Sequence, residues 1–364
     1  MNKIQFRYLL ITCLLALQSC QVGRYFIYNF ADIKDHKKFQ SRSLEAPKES
    51  FHFIEVDSGK KVPKHINQMN FGDYLESQKT VAFLIIRNDT IHYEQYFKKY
   101  EKESIVPSFS MAKSVTSMLI GCAIADGLID SVQEPITNYI PELKENGFET
   151  VSIRHLLQMT SGLKYNESYT NPFGNAAAFY YGRNLRKQIE KMKLETTPGS
   201  RFDYVSGSTQ LLGLVLERAL KDQSVTAYLQ QKIWTPLGME YDASWSIDRK
   251  KDGLEKTFCC LNARARDFAK LGRLYLNKGN WNGQQLIPEW WVEESTKVDT
   301  TEGSVDYYQY QWWLPTPGKD FMAQGILGQY IYVHPEKNLI IVRLGKKWGN
   351  TNWQSVFRGL AEVY

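Results

Sequence analysis

The sequence predicts an α+β fold in which an antiparallel sheet, built from both ends of the chain, is flanked by helices and interrupted by a helical subdomain. Two observations lead to this prediction. Short runs rich in β-branched and aromatic residues lie near both ends of the chain. Between them, apolar residues recur at steps of three and four, which is typical of helices packed on a core. The helical subdomain is expected at about residues 115–273.

The predicted elements follow one another in a simple order. The first strands form a hairpin, residues 81–87 and 90–97, because a polar Asn88-Asp89 turn separates two apolar runs. A helix is then predicted from Ser110 to the Asp126-Gly127 stop. Further helices are predicted at residues 154–159, 184–192, 209–220, 225–234 and 265–276. C-terminal strands are predicted at residues 307–314, 329–333 and 339–344, before an amphipathic helix at 352–364 with Val356, Phe357, Leu360 and Val363 on one face.

Length and composition are those of a globular protein with a large core. The chain of 364 residues is 43% hydrophobic and 23% charged, enough for one large domain or two closely joined ones. The net charge is only +6, and no dense block of Lys and Arg is interleaved with aromatic residues. Nucleic-acid binding is therefore not expected. We expect the folded domain to span residues 49–364.

The first twenty residues have the pattern of an export signal. Lys3 and Arg7 precede an apolar run that is too short for a permanent transmembrane helix. The run ends in Leu17-Gln18-Ser19-Cys20, which resembles a bacterial lipobox, so we expect a signal peptide over residues 1–19 and a lipid on Cys20. The alternatives are a plain secretory signal and a short membrane anchor. Residues 20–48 are polar and lack periodicity, which predicts a tether to a membrane of the bacterial cell envelope.

The cysteines and histidines indicate neither a disulfide framework nor a metal site. Cys13 and Cys20 belong to the export segment, which leaves Cys122 and the adjacent Cys259 and Cys260. This odd number leads us to expect buried thiols. The six histidines are scattered and no glycine-rich phosphate loop occurs, so no metal and no cofactor are expected.

A serine stands where the apolar helix after residue 109 begins. Ser110 and Lys113 are three residues apart, so one helical turn places the hydroxyl and the amine on the same side. Such a pair joins a nucleophile to a potential base, provided that the lysine pKa falls by roughly 3 to 4 units. The alternative is an ordinary helix cap with a solvated lysine. The same spacing also occurs at Ser58 and Ser161, where no apolar helix follows.

A second residue that handles protons is Tyr204, between the Pro198-Gly199 turn and an apolar helix. Ser110-x-x-Lys113 and Tyr204-Val205-Ser206 together resemble the serine β-lactamase-related, penicillin-recognising hydrolases, above all their class C and esterase branches. The resemblance covers about residues 80–345. It implies a β-lactamase/transpeptidase-like fold in which Ser110, Lys113 and Tyr204 meet at one cleft. Taken alone, Tyr204 would be interpreted as a packed core tyrosine.

The third element of that family, a Lys-Thr-Gly-like strand, is replaced by Gly325-Ile326-Leu327-Gly328-Gln329. This ending resembles the esterase and oligomer-amidase branch, which includes the 6-aminohexanoate-dimer hydrolases. The resemblance implies that the Ile326 amide joins the Ser110 amide in an oxyanion hole and that Gly325 lets the substrate approach the backbone. It also implies that Tyr169 touches the leaving group and that Ser206 lies at the substrate. The alternatives are a strand-entry bulge at Gly325 and a loop position for Tyr169.

The sequence therefore predicts a serine hydrolase that cleaves an ester or amide of a small-molecule or peptide-like substrate through an acyl-enzyme on Ser110. Lys113 and Tyr204 would handle the proton. One alternative is a β-lactamase or D-Ala-D-Ala peptidase with the same three residues. The absence of the cation that the Lys-Thr-Gly-like strand normally supplies argues against it. The other is a silent ligand-binding lipoprotein on the same scaffold, against which the intact Ser-Lys-Tyr set argues.

Overall fold

The computed structural model describes residues 21–28, 30–55, 65–66 and 68–364. The predicted signal peptide over residues 1–19 and the predicted lipid site, Cys20, lie outside these ranges, as does Ser58. Within the described ranges, none of the helices combines the length and the apolar character needed to cross a bilayer.

The centre of the fold is an eight-stranded sheet that takes strands from both ends of the chain. In the described ranges the strands are β1 (Gln40–Leu44), β2 (Ile54–Glu55), β3 (His65–Ile66), β4 (Met69–Asn70), β5 (Thr80–Arg87), β6 (Thr90–Tyr96), β7 (Val106–Pro107), β8 (Ala243–Ile247), β9 (Leu261–Ala263), β10 (Asn280–Trp281), β11 (Gln284–Gln285), β12 (Tyr308–Gln309), β13 (Trp312–Thr316), β14 (Asp320–Gly325), β15 (Gln329–His334) and β16 (Leu339–Gly345). The large sheet has the order β12-β13-β14-β15-β16-β5-β6-β2. β16 pairs antiparallel with β5, with Ile341 opposite Ile85, so the C-terminal strands join the N-terminal hairpin there. The predicted antiparallel α+β architecture is confirmed.

Helices cover both faces of this sheet. In the described ranges they are α1 (Gln21–Tyr28), α2 (Phe71–Ser77), α3 (Met111–Ala125), α4 (Ile153–Leu157), α5 (Asn175–Tyr181), α6 (Leu185–Ile189), α7 (Ser206–Leu220), α8 (Val225–Leu229) followed by a π-helical turn (Gln230–Trp234), α9 (Ala265–Leu276), α10 (Glu289–Thr296) and α11 (Trp353–Ala361). Short 3-10 turns occur at Asp35–Lys37, Ile136–Asn138, Pro141–Asn146, Phe148–Thr150 and Pro335–Lys337. The predicted helix at residues 265–276 has the predicted ends.

The central strands are buried on both sides because helices pack against each face. Along β5, Leu84 and Ile86 contribute to one core, whereas Phe83 and Ile85 contribute to the other. This is the alternation expected when successive side chains point to opposite faces of a strand. The first core is the larger, and α3 crosses it with the residues that follow Ser110.

The terminal helix covers the second core. Phe357 and Leu360 of α11 are buried there, as predicted, and Val356 is partly buried; Trp353 joins them. The helix ends at Ala361, however, and Val363 is 52% exposed. The expectation that Val363 belongs to the buried face is wrong, because the chain has already left the helix at that position.

The predicted tether over residues 20–48 is corrected by the structure in its described part. In α1, Arg24 and Tyr25 are buried, and β1 pairs antiparallel with β8, with Leu44 opposite Ala243. Arg42 of β1 forms an ion pair of 2.7 Å with Glu255, whose side chain is buried. The polar composition of this segment led to the prediction of a tether. β1 is nevertheless a strand, because its backbone pairs with β8 while most of its side chains are exposed at the edge of the sheet.

The region predicted as a helical subdomain, about residues 115–273, also contains two strands. β8 and β9 belong to a four-stranded sheet of order β1-β8-β9-β7, which the sequence did not predict. In this sheet β7, which leads directly to Ser110, pairs with β9. The second sheet therefore connects the N-terminal segment to the region around the nucleophile candidate.

Candidate active site

Ser110 lies on a sharp turn between β7 and α3. The preceding residue, Phe109, has a φ of 45°, a left-handed conformation that a non-glycine residue adopts only where its surroundings impose it. Ser108 fixes the turn, because its amide donates to the Leu261 carbonyl at 2.7 Å and its Oγ accepts from the Leu261 amide at 3.1 Å. Ser110 itself makes no capping bond with its side chain. Its hydroxyl is instead available to the groups across the turn.

Lys113 lies one helical turn after Ser110 and is buried in the core. Its Nζ is 3.1 Å from Ser110 Oγ, 3.0 Å from Ser206 Oγ and 3.0 Å from the Phe258 carbonyl oxygen. Burial lowers the pKa of Lys113 to about 8, and the negative charge of Glu167 opposes part of this change. About a tenth of the lysine is therefore the neutral amine at pH 7, far more than for a solvated lysine. In that form it can donate to Ser206 and Phe258 while its lone pair accepts the Ser110 proton.

Tyr204 lies beside the Ser110 and Lys113 pair. Its hydroxyl is near enough to the Ser110 side chain for that side chain to offset part of the rise that burial causes in the Tyr204 pKa, and Lys113 Nζ lies 5.2 Å from the centre of the Tyr204 ring. The ring is held between Tyr308 and Trp313, at centroid distances of 5.8 and 5.4 Å. Burial raises the pKa of Tyr204 well above its usual value, so the phenol keeps its proton at neutral pH.

Two backbone amides that line a cavity have no hydrogen-bond acceptor among the described residues. Neither the Ser110 amide nor the Ile326 amide donates a hydrogen bond to any described residue. Ile326 follows β14 in a turn where Leu327 has a φ of 63°. Both residues line the same cavity, and an unpaired amide pair of this kind can stabilise a developing negative charge.

Gly325 is required here for a reason that the sequence analysis did not give. A Cβ atom at this position would lie 2.4 Å from the Ser108 carbonyl oxygen and 3.2 Å from the Ser110 amide nitrogen. The close approach is thus between two backbone segments, the end of β14 and the turn before α3. It brings the Ile326 amide beside the nucleophile candidate.

Glu167 is a site residue that the sequence analysis missed. Its carboxylate accepts hydrogen bonds from the Ser206 amide at 2.8 Å, from Ser206 Oγ at 2.6 Å and from the Tyr169 hydroxyl at 2.8 Å. Ser206 therefore bridges Glu167 to Lys113. A single carboxylate in a polar loop does not by itself indicate a functional residue. Its position two residues before Tyr169 was the only sequence feature that pointed to the site. Tyr169, which donates its hydroxyl to Glu167, lines the same cavity as Ser110.

The expectation of buried thiols is wrong for two of the three cysteines. Cys259 and Cys260 form a disulfide with each other, whereas Cys122 is a free and buried thiol. The segment before the disulfide supplies the Phe258 carbonyl that binds Lys113, and Trp245 Nε1 donates to the Cys259 carbonyl at 3.0 Å. The sequence analysis did not predict this disulfide because cysteine spacings are normally interpreted as bridges that close a long loop, and adjacent cysteines close none.

These groups open onto a cavity of about 270 Å³. Its described lining includes Ser110 and Ser206 and is otherwise dominated by aromatic and aliphatic side chains. None of these described lining residues carries a formal charge. In the described ranges, no group of three or more His, Cys, Asp or Glu side chains is arranged to hold a metal ion.

The comparisons with known proteins identify the family and the fold. A family model described as Beta-lactamase matches residues 70–363. The chain is 27% identical over 291 residues to the 6-aminohexanoate-dimer hydrolase of Paenarthrobacter ureafaciens, over 74% of this chain and 73% of the relative. A solved structure described as "Putative 6-aminohexanoate-dimer hydrolase from Bacillus anthracis" has a TM-score of 0.79 and 25% identity, over 92% of both chains. A family VIII carboxylesterase has a TM-score of 0.62 and 13% identity, over 80% of this chain and 95% of that one. These likenesses confirm the fold that the sequence resemblance implied.

Proposed function

This chain belongs to the Beta-lactamase family, and on that premise we propose that it is a serine hydrolase that cleaves an ester or amide bond through an acyl-enzyme on Ser110. The observation that carries the proposal is the buried contact of 3.1 Å between Lys113 Nζ and Ser110 Oγ. A lysine whose pKa is lowered to about 8 is a usable base at this position. The same contact in a solvated helix cap would leave the amine protonated.

Acylation begins when the neutral Lys113 amine takes the proton of Ser110 as Oγ attacks the substrate carbonyl. The negative charge that forms on the carbonyl oxygen is stabilised by the Ser110 and Ile326 amides, and one such donor is typically worth about 2.7–4 kcal/mol in the barrier. Tyr204 then donates its hydroxyl proton to the departing oxygen or nitrogen and regains a proton from the Lys113 ammonium. Its raised pKa suits this role, because the phenol is protonated when the leaving group departs.

Deacylation reuses the same groups. A water molecule attacks the carbonyl carbon of the acyl-enzyme, and the Lys113 amine accepts its proton. The bond to Ser110 Oγ breaks, the serine recovers the proton, and the carboxylic acid product leaves. The bonds from Lys113 to Ser206 Oγ and to the Phe258 carbonyl, both 3.0 Å, keep the amine in place in each step.

The relatives support hydrolysis of an acyl bond and leave the choice between amide and ester to experiment. One is a 6-aminohexanoate-dimer hydrolase and another is a carboxylesterase. A β-lactamase or D-Ala-D-Ala peptidase activity is less well supported, because none of the described residues that line the cavity is a cation that would bind a substrate carboxylate.

Labelling with a fluorophosphonate probe tests the proposal. Mass spectrometry should locate one adduct on Ser110 in the native protein and none in Ser110→Ala. Ser161→Ala is the matched control, because Ser161 belongs to a second Ser-x-x-Lys sequence and bonds to Ser208 Oγ at 2.8 Å instead of to a lysine. Absence of labelling in the native protein would contradict the proposal. Labelling by a fluorescent penicillin at Ser110 would favour the β-lactam-directed alternative.

We also propose that the protein is exported and carries a lipid on Cys20. The basic start of the chain, the short apolar run and the Leu17-Gln18-Ser19-Cys20 sequence support this. Cells fed an azide-bearing fatty acid should incorporate it into the native protein and into Cys13→Ala, but not into Cys20→Ala. Incorporation into Cys20→Ala would contradict the proposal.

A further inference from the structure

We propose that the substrate of the Ser110 site has an uncharged, apolar acyl group, and that the segment after α1, Phe30 and Ala31, forms part of the wall that holds it. The inference rests on the proposed hydrolase function and deepens it by naming the class of substrate. It follows from the chemistry of the cavity wall, from the side of Ser110 on which the cavity lies, and from the attachment of the N-terminal segment.

The wall of the cavity presents mainly carbon atoms, and the hydroxyls of two of its tyrosines are bound elsewhere. The Tyr180 hydroxyl donates to Asp35 at 2.6 Å, and the Tyr169 hydroxyl donates to Glu167 at 2.8 Å, so both residues offer their rings. Ala176 and Ala177 of α5 also line the cavity and add small apolar side chains to its wall. A charged acyl group would lose its hydration here without gaining a described partner of opposite charge in the lining.

The surroundings of the wall are also poorly solvated. Lys256 is buried behind Tyr180, where its Nζ donates to the Tyr180 carbonyl and lies 3.9 Å from the centre of the Phe39 ring. Burial lowers the pKa of Lys256 to about 7, which is the direction expected of an amine held away from water. A charged group of the substrate in the cavity would pay the same free-energy cost of lost hydration.

The position of the cavity identifies the acyl side of the substrate. Ser110 and Ile326 line the cavity, so the carbonyl group would lie against this part of its wall. Tyr204, which would protonate the leaving group, is not among the residues that line it. We therefore assign the leaving group to the Tyr204 side and the cavity to the acyl group, which places Tyr169 at the acyl group and not at the leaving group as the resemblance implied.

The N-terminal segment that completes the wall is firmly attached. The Tyr25 ring is buried and meets the Tyr181 ring of α5 at a centroid distance of 5.4 Å. Asp35 joins the segment to Tyr180, and Lys38 pairs with Asp35 at 2.7 Å. Phe30 lines the cavity and is half exposed, and its ring meets the Tyr25 ring at a centroid distance of 5.6 Å. The attached segment therefore adds an aromatic ring to the wall.

Two pairs of substrates test this inference. Turnover of p-nitrophenyl esters should rise from acetate to hexanoate, by up to about fourfold in kcat/KM for each methylene that is fully buried. p-Nitrophenyl 6-aminohexanoate differs from the hexanoate by one ammonium group and should be hydrolysed at least tenfold less efficiently. Equal or better hydrolysis of the charged ester would overturn the inference, as would a preference for acetate.

Variants of the wall provide the second test. Ala177→Leu fills the cavity and should lower kcat/KM for the hexanoate at least tenfold while changing that for the acetate little. Phe30→Ser should weaken hexanoate hydrolysis several-fold. Phe26→Ser is its matched control, because both rings meet the Tyr25 ring, at 5.5 and 5.6 Å, but Phe26 does not line the cavity. An equal effect of the two serine variants would contradict a wall at Phe30.

The two proposals fail in different ways. If neither ester is hydrolysed and no probe labels Ser110, the hydrolase function itself is wrong and this inference falls with it. If both esters are hydrolysed in a Ser110-dependent manner without a preference for the uncharged chain, the hydrolase function stands and the proposed substrate class is wrong.

Discussion

The charge on Glu167 should set the pH at which the enzyme becomes active. The proposed base is the neutral form of Lys113, whose pKa is lowered to about 8 by burial and raised in part by Glu167. Activity should therefore be lost as the pH falls through the pKa of Lys113. Replacing Glu167 with Gln removes the opposing charge while keeping a side chain of the same size. The pKa of Lys113 should fall further, and the acidic limb of the pH profile should move to lower pH.

The size of the shift follows from the bridge through Ser206. Lys113 Nζ and Glu167 Oε1 are joined through Ser206 Oγ by bonds of 3.0 and 2.6 Å, so they lie no more than about 5.6 Å apart. With an effective dielectric constant of about 20, the attraction between unit charges at this distance is about 3 kcal/mol, or about two pH units. Glu167 is half-buried, so water screens part of this attraction. We expect a shift of about one to two pH units.

The measurement is kcat/KM against pH with an uncharged p-nitrophenyl ester, which does not titrate over the range. The control is Glu149→Gln, which removes an exposed carboxylate from a short helical turn away from Lys113. A limb that stays in place in Glu167→Gln, or moves to higher pH, would refute the role assigned to Glu167. A limb that moves equally in Glu149→Gln would assign the effect to net charge.

Three further predictions concern the other parts of the site and its support. Lys113→Ala and Tyr204→Phe should each lower kcat by about 10²-fold or more with Ser110 still present, and variants that keep most of their turnover would contradict the proton path. Gly325→Ala should lower kcat by about 10²–10³-fold, because its Cβ would lie 2.4 Å from the Ser108 carbonyl and displace the Ile326 amide; an unchanged kcat would contradict that geometry. Arg42→Ala should lower the free energy of unfolding by about 3 kcal/mol, because it leaves the buried Glu255 carboxylate without its cation; denaturant titration against Arg42→Lys checks this.

The large sheet and the centre of the site could be predicted because their signals are local and strong. β5, β15 and β16 are short apolar runs bounded by polar turns, which predicts strands. They lie next to each other in the large sheet, in the order β15-β16-β5. Ser110 could be separated from Ser161 because only Ser110 opens an apolar helix, and burial of that helix is what removes Lys113 from water. The role of Tyr204 came from the family resemblance, not from its surroundings in the sequence.

The missed features depend on contacts between distant parts of the chain. Glu167 gains its importance from Ser206, a residue that is 39 positions away. β1 has the polar composition of a linker, and only its pairing with β8 makes it a strand. The need for Gly325 arises from the carbonyl of Ser108, which no local pattern reveals. In each case the residue that makes the contact is brought close by the tertiary structure. A pattern of residues that are neighbours in the sequence contains no information on such contacts.

The docked N-terminal segment has a practical consequence for recombinant work. A chain started at residue 49, the domain boundary that the sequence indicates, would lack α1 and β1. The edge of β8 would then be uncovered, and an uncovered edge strand invites pairing between molecules. The rings of Tyr180 and Tyr181 would lose Asp35 and Tyr25 as partners and open one side of the cavity to water. Expression from residue 21 keeps these contacts and is the better starting point for the assays above.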